Sequence, residues 1–142
     1  MYTSIVVGID GSPTAGRALD KAVELARASG SRLHLVSAYE PIPAHVTGGA
    51  PAEEEFQAPM DFKADAVLQR ALDTTQGLDV EQHAPKGRAA EALIAVAKET
   101  DAELIVIGSV GMKGPKRIFG SVPNTVSHRS PCDVLIVQTA ER

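Results

Sequence analysis

The sequence predicts an α/β fold, a single-domain three-layer sandwich over residues 1–142 with a five-stranded parallel sheet between two layers of helices. Three observations predict it. Short apolar, β-branched runs recur along the chain, as strands covered on both faces do. Stretches with apolar residues at helical spacing lie between them. Glycines and capping residues mark the joints. A chain of 142 residues suits one domain and buries enough surface to fold without disulfides or metal.

Taken in order, the first strand is Ser4–Asp10, nearly all apolar and β-branched. Gly11-Ser12-Pro13 follows; Ser12 is a good N-cap, and Pro13 suits the first helical position, whose N–H needs no partner. Leu19, Ala22, Val23 and Ala26 continue at helical spacing, and Gly30 closes the helix. Ser31–Ala38 is the second strand. Residues 40–59 then break the alternation with Pro41, Pro43, Pro51, Pro59, Gly48-Gly49 and the acidic run Glu53-Glu54-Glu55. They read as a long connection, either a plain flexible loop or a flap over a site. A helix resumes with Met60, Ala64, Val67, Leu68 and Ala71 on one face. Leu78–Ala84 is the third strand, Ala89–Thr100 the third helix, with Leu93, Ile94 and Ala97 inward, and Ala102–Gly108 the fourth strand. A glycine-rich stretch runs from Gly108 to Gly120. Ser121 caps a short last helix with Pro123 in its first turn, and Asp133–Gln138 is the fifth strand. Doubly wound sheets of this kind run 3-2-1-4-5 or 2-1-3-4-5, and both fit the pattern. In the first order, strands 1 and 4 are neighbours where the winding reverses, which is where such sheets bind ligands. Asp10 and Gly108 would then meet in one crevice.

Composition excludes several classes of function. The net charge of −4 opposes bulk attraction to nucleic acid, and five aromatics without tryptophan make a poor base-stacking platform. No apolar run approaches a membrane span, and Met1-Tyr2-Thr3-Ser4-Ile5 does not read as a signal peptide, so the cytoplasm is the expected location. The lone Cys132 excludes an internal disulfide and a cysteine-built zinc site. The charge is uneven, however. From Leu104 to Cys132 there is no Asp or Glu, but there are Lys113, Lys116, Arg117 and Arg129, so this window is +4 and the rest of the chain −8. A basic patch on an acidic chain suits a small anionic ligand better than a polymer.

That window contains Gly108-Ser109-Val110-Gly111 and, further on, Gly120-Ser121-Val122. Glycines let backbone N–H groups converge on an anion, and the start of the following helix adds unpaired N–H donors with partial positive charge. Ser109 and Ser121 add hydroxyl donors. Two such anchors joined by a basic loop can hold a phosphate chain. The alternative is a tight turn and a helix start with no ligand. The stretch is not a Walker A loop, since no Gly-Lys-Ser/Thr stands at the required spacing. Gly8, Gly11 and Gly16 do not form a dinucleotide fingerprint, because Gly-x-Gly is missing.

Val6-Val7-Gly8-Ile9-Asp10-Gly11-Ser12 at the front, Gly108-Ser109-Val110-Gly111 with Gly120-Ser121-Val122, and Pro131-Cys132-Asp133-Val134-Leu135-Ile136-Val137 at the back together resemble the universal stress protein family. The resemblance covers essentially the whole chain. It implies the 3-2-1-4-5 order and a homodimer formed through the last strand, Asp133–Gln138. In one branch of the family it also implies binding of ATP, with or without Mg²⁺; AMP, ADP or cyclic AMP are the fallback ligands. The family pattern is Gly-x2-Gly-x9-Gly-Ser/Thr, whereas this chain has Gly108-x2-Gly111-x8-Gly120-Ser121, one residue shorter. Carried over by position, the purine and ribose contacts fall on Gly8, Ile9, Asp10 and Ala38. The phosphate side falls on Ile107, Gly108, Ser109, Gly111, Gly120, Ser121 and Val122. Asp10 would accept hydrogen bonds from ribose hydroxyls, and Ala38 would offer backbone polar groups to the base edge.

A catalytic set is not evident. His34, His45, His83 and His128 have no helical i, i+4 partner and no metal-type spacing, so no metal site is expected. No Gly-x-Ser-x-Gly elbow is present. Cys132 reads as an inert small apolar residue. The favoured function is a nucleotide-binding regulatory module in a stress response, acting as a homodimer on an unidentified protein partner. A slow ATPase or nucleotide hydrolase, and a nucleotide-free dimeric scaffold, are the alternatives.

Overall fold

The computed structural model describes residues 1–11, 13–40, 64–109 and 121–138. The elements are β1 (Ser4–Gly8), α1 (Pro13–Ser29), β2 (Arg32–Val36), α2 (64–72), β3 (Val80–His83), α3 (Ala89–Glu99), β4 (Leu104–Gly108), α4 (Ser121–Arg129) and β5 (Asp133–Val137). The strands are all parallel, in the order β3-β2-β1-β4-β5. Of the two orders open to the sequence, this is the one implied by the family resemblance. It makes β1 and β4 neighbours at the centre of the sheet. Strands end a residue or two inside their predicted limits, because the apolar pattern runs past the last paired backbone groups. Ser12 and residues 41–63, which include most of the predicted long connection, lie outside the described residues.

Period-two alternation assigns the two faces. Ile5, Val7, Leu33, Leu35, Leu104 and Val106 pack against Ala18, Leu19, Ala22 and Ala26 of α1 and Leu68 and Ala71 of α2. Val6, Val36, Ile105 and Ile107 pack against Ala90, Leu93, Val96 and Ala97 of α3 and Val126 of α4. The central strands are therefore apolar on both faces, as a sheet covered by helices on each side requires. Each buried Val, Leu or Ile contributes about 1.5–3 kcal/mol of transfer free energy. Alanines 18, 22 and 26, one turn apart, let the α1 backbone lie close to the sheet.

β3 and β5 form the two edges. Val134, Leu135, Ile136 and Val137 of β5 are only partly buried, leaving an apolar edge strand incompletely covered. Among the described residues, no helix is long and apolar enough to cross a membrane.

Candidate functional site

The order of the strands alone would put a ligand crevice between β1 and β4; the pairing shows where it opens. β1 pairs with β4 from Ile5↔Leu104 to Val7↔Val106. On its other side, β1 stays paired to β2 through Gly8↔Val36, and the Ile9 N–H then donates to the Val36 carbonyl at 2.9 Å. β4 stays paired to β5 through Gly108↔Val137, and the Ser109 N–H donates to the Val137 carbonyl at 2.9 Å. Beyond Val7 and Val106, each central strand follows its outer neighbour and the two part. The cause is topological: from β1 the chain enters α1 on one face, and α4, which follows β4 in sequence, lies on the opposite face.

Gly8 lines the β1 side of the opening. A Cβ there would stand 3.2 Å from both Leu93 methyl carbons and 3.5 Å from Ile107 Cγ2, so glycine lets α3 pack close under the end of β1. Ile9 is buried on the α1 face, and Asp10 is exposed directly after it. Gly11 turns the chain with φ +83°, and a Cβ there would lie 2.9 Å from Val67 Cγ2 of α2. The Asp10–Gly11 turn is thus wedged between the end of β1 and α2.

Ala38 follows β2. Its neighbours are both tied outward: the Ser37 N–H donates to the His83 carbonyl at 3.0 Å, and the Tyr39 N–H to the Pro85 carbonyl at 3.1 Å. Because successive backbone groups of an extended chain point to opposite sides, the Ala38 N–H and C=O face the end of β1.

On the β4 side, Ile107 is buried among α3 and α4 side chains, and Gly108 is half-buried. Ser109 is only 5% exposed, and its hydroxyl donates to Gln138 Oε1 at 2.8 Å. Both its N–H, bonded to the Val137 carbonyl, and its hydroxyl are therefore engaged on the β5 side. Ser121 begins α4, and Val122 in its first turn packs on the α3 side of the core. Gly111, Gly120, Lys113, Lys116 and Arg117 lie outside the described residues. Arg129 is at the far end of α4, about 12 Å along the helix from Ser121. It reaches Glu91 Oε1 at 3.9 Å, an exposed surface pair, and so stands apart from the crevice.

A recess of about 180 Å³ opens on the α1 face, lined by Ile9, Gly11, Ala15, Leu19, Val67 and Ala71 among others. It is mostly apolar and smaller than the roughly 300–1,000 Å³ typical of ligand sites. Burial pushes the Cys132 thiol up, and aspartate 133 adds to the rise while a hydrogen bond with Ser130 opposes it. The thiol is therefore protonated near neutral pH and is a weak nucleophile.

The sequence places Leu93 in the core but does not show that it lies beside Gly8, where it sets how closely α3 approaches the crevice. Its only sequence signal was helical spacing, which marks it as core without saying what it touches. Nor does the sequence show that His34 and His83 meet, with ring centres 5.3 Å apart. Their 49-residue separation hides this, and only the β2–β3 register brings them together.

The sequence model of the universal stress protein family matches residues 1–138. A universal stress protein of Mycobacterium tuberculosis is 34% identical over 145 residues, covering 97% of this chain and 97% of that protein. One from Thermus aquaticus is 35% identical over 139 residues, covering 97% and 100%. Among solved structures, a universal stress protein in complex with cAMP is similar with a TM-score of 0.73 and 36% identity, over 98% of each chain. One from Archaeoglobus fulgidus in complex with dAMP is similar with a TM-score of 0.70 and 26% identity, over 96% of this chain and 98% of that one.

Proposed function

The chain belongs to the universal stress protein family, and from that premise we propose that it binds an adenine nucleotide, ATP by preference, in the crevice between β1 and β4. The observation that carries the reading is the parting of the two strands beyond Val7 and Val106, with Gly8 and Asp10 on one side and Gly108 and Ser109 on the other. The solved relatives with cAMP and dAMP support an adenine nucleotide as the ligand class.

The residues fit such a ligand. Gly8 keeps side-chain bulk out of the opening. The exposed Asp10 carboxylate would accept hydrogen bonds from ribose hydroxyls, and Ile9 fixes its position by burial on the α1 face. The Ala38 N–H and C=O would meet the base edge. Backbone N–H groups of Gly108, and of Ser121 and Val122 at the start of α4, would meet the phosphates together with Gly111 and Gly120, with Ser109 lining the same side. Mg²⁺ accompanying ATP would neutralise part of the phosphate charge. In this reading the nucleotide is a regulatory ligand, and a protein partner distinguishes the loaded from the empty form.

The reading includes a homodimer. Pairing two β5 edges, Asp133–Gln138, about a twofold axis would cover the partly exposed Val134–Val137 row and satisfy the edge backbone of both chains.

The test is thermal unfolding with ATP, ADP, AMP and cyclic AMP. Ligand at a hundred times Kd adds about 2.7 kcal/mol. For a chain of this size that raises Tm by roughly 5–10 °C. A saturable rise, largest for ATP, is expected. No shift with any adenine nucleotide at millimolar concentration would leave a dimeric scaffold as the better reading.

A further inference from the structure

The β3 edge carries a second constellation that the crevice does not use. His34 of β2 stands opposite Glu81 of β3, and His83 follows two residues on, opposite Val36. With side chains alternating between faces, His34, Glu81 and His83 share one face of the sheet. His34 Nδ1 lies 3.1 Å from His83 Nε2, and Glu81 Oε1 lies 3.4 Å from the same His83 nitrogen. The three ligand atoms are all within 4.8 Å of one another.

Two donors about 2.0–2.1 Å from a tetrahedral ion stand about 3.3–3.4 Å apart. The two short separations, 3.1 and 3.4 Å, are close to edges of such a polyhedron. The third closes by rotation of the exposed Glu81 side chain. Proton counting points the same way. His83 Nε2 carries at most one proton, yet it faces both the His34 nitrogen and the Glu81 oxygen. If Nε2 holds the proton, one hydrogen is shared between two acceptors. If His34 donates instead, the Glu81 oxygen faces a lone pair. A cation lets all three atoms act as lone-pair donors.

The surroundings orient the set. Arg32 holds the other carboxylate oxygen, Glu81 Oε2, at 3.3 Å, leaving Oε1 turned to His83. Asp79 at 3.0 Å from Arg32 Nε offsets the guanidinium charge. His34 is 3% exposed and held by packing, while the Glu81 side chain is 45% exposed, so an ion can enter from solvent. Two imidazoles and a carboxylate suit zinc(II) and leave a fourth position for water.

We propose that His34, Glu81 and His83 form a zinc(II) site that clips the edge strand β3 to β2. This site is independent of the nucleotide reading, and its test needs no nucleotide. The full chain, freed of metal with a chelator and desalted, is titrated with Zn²⁺ by calorimetry. Co²⁺ serves as a second probe, because its visible absorption reports four-coordinate geometry. The expected result is one ion per chain, a rise in Tm with Zn²⁺, and at least a tenfold loss of affinity in both His83→Ala and Glu81→Gln. Both changes lie on the edge strand, away from the most buried ligand, and circular dichroism of the metal-free variants checks that they fold. His128→Ala and His45→Ala are expected to bind as the parent does. The proposal is overturned if Zn²⁺ does not bind at micromolar concentration, or if the folded His83→Ala and Glu81→Gln variants bind as tightly as the parent. Loss of the site in His128→Ala or His45→Ala would assign it elsewhere and equally overturn it.

Discussion

Replacing Gly11 with alanine tests how the Asp10 turn is held. The backbone there has φ +83°, and a Cβ would come within 2.9 Å of Val67 Cγ2. An L-residue in the left-handed region costs roughly 1–2 kcal/mol. The contact adds an overpacking cost of about 1–3 kcal/mol, at the low end because Val67 is only partly buried and can shift. Stiffening of the unfolded chain offsets part of this loss, by about 0.4–1 kcal/mol. The expected net destabilisation is about 1–2.5 kcal/mol, or roughly 2–10 °C in Tm for a chain of this length. Urea unfolding measures it, with the midpoint falling and the slope unchanged. Two companions separate the causes. Gly11→Asn should lose less than Gly11→Ala, because asparagine tolerates positive φ while still carrying a Cβ. In a double-mutant cycle with Val67→Ala, the losses should fall short of additive by at least about 0.5 kcal/mol. Stability within about 0.5 kcal/mol of the parent, or strictly additive losses, would refute the wedge.

Other outcomes are expected from the same geometry. Gly8→Val fills the crevice opening next to Leu93 and Ile107, so calorimetry should show at least a tenfold loss of adenine-nucleotide affinity; unchanged binding would place the ligand elsewhere. Light scattering should find a dimer at micromolar concentration, and Ile136→Glu, which puts a charge beside the β5 seam, should give a folded monomer; a monomeric parent removes β5 pairing. The Thr3 hydroxyl and N–H both donate to Glu103 Oε1 at 2.6 Å, which holds that carboxyl below its ordinary value of 4.5. The folded state therefore prefers the ionised form, so this contribution is full above pH 4.5 and is lost as pH falls through the lower folded value. Glu103→Gln should flatten the acid limb of the stability curve, and identical acid limbs for parent and variant would contradict this.

The strands and helices were legible because their signals are local. Ile5–Val7 and Leu104–Ile107 are apolar without interruption, which only a sheet covered on both faces uses, and α1 carries its alanines one turn apart. The glycines at 8, 11 and 108 were also visible as points where the chain bends or admits a neighbour. Their number and spacing suggested an anion site but did not say what each glycine faces. Gly8 answers to Leu93 and Gly11 to Val67, residues far along the chain, and neither pairing has a trace in local pattern. Ser109 shows the same limit in reverse. A serine after a strand-ending glycine looks like a hydroxyl donor for a ligand, yet folding aims that hydroxyl at Gln138.

By itself, then, the amino-acid order determined which segments extend, which coil, and where the anion-friendly backbone lies, since each depends on side chains within a turn or two. Which strand lies beside which was decided only in three dimensions. The alternation of elements is the same for either strand order, and the choice depends on how the helices cover the sheet. From that choice come both the parting of β1 from β4 and the meeting of His34 with Glu81 and His83. Each is a property of register between strands, and register is set by the packing of the whole core.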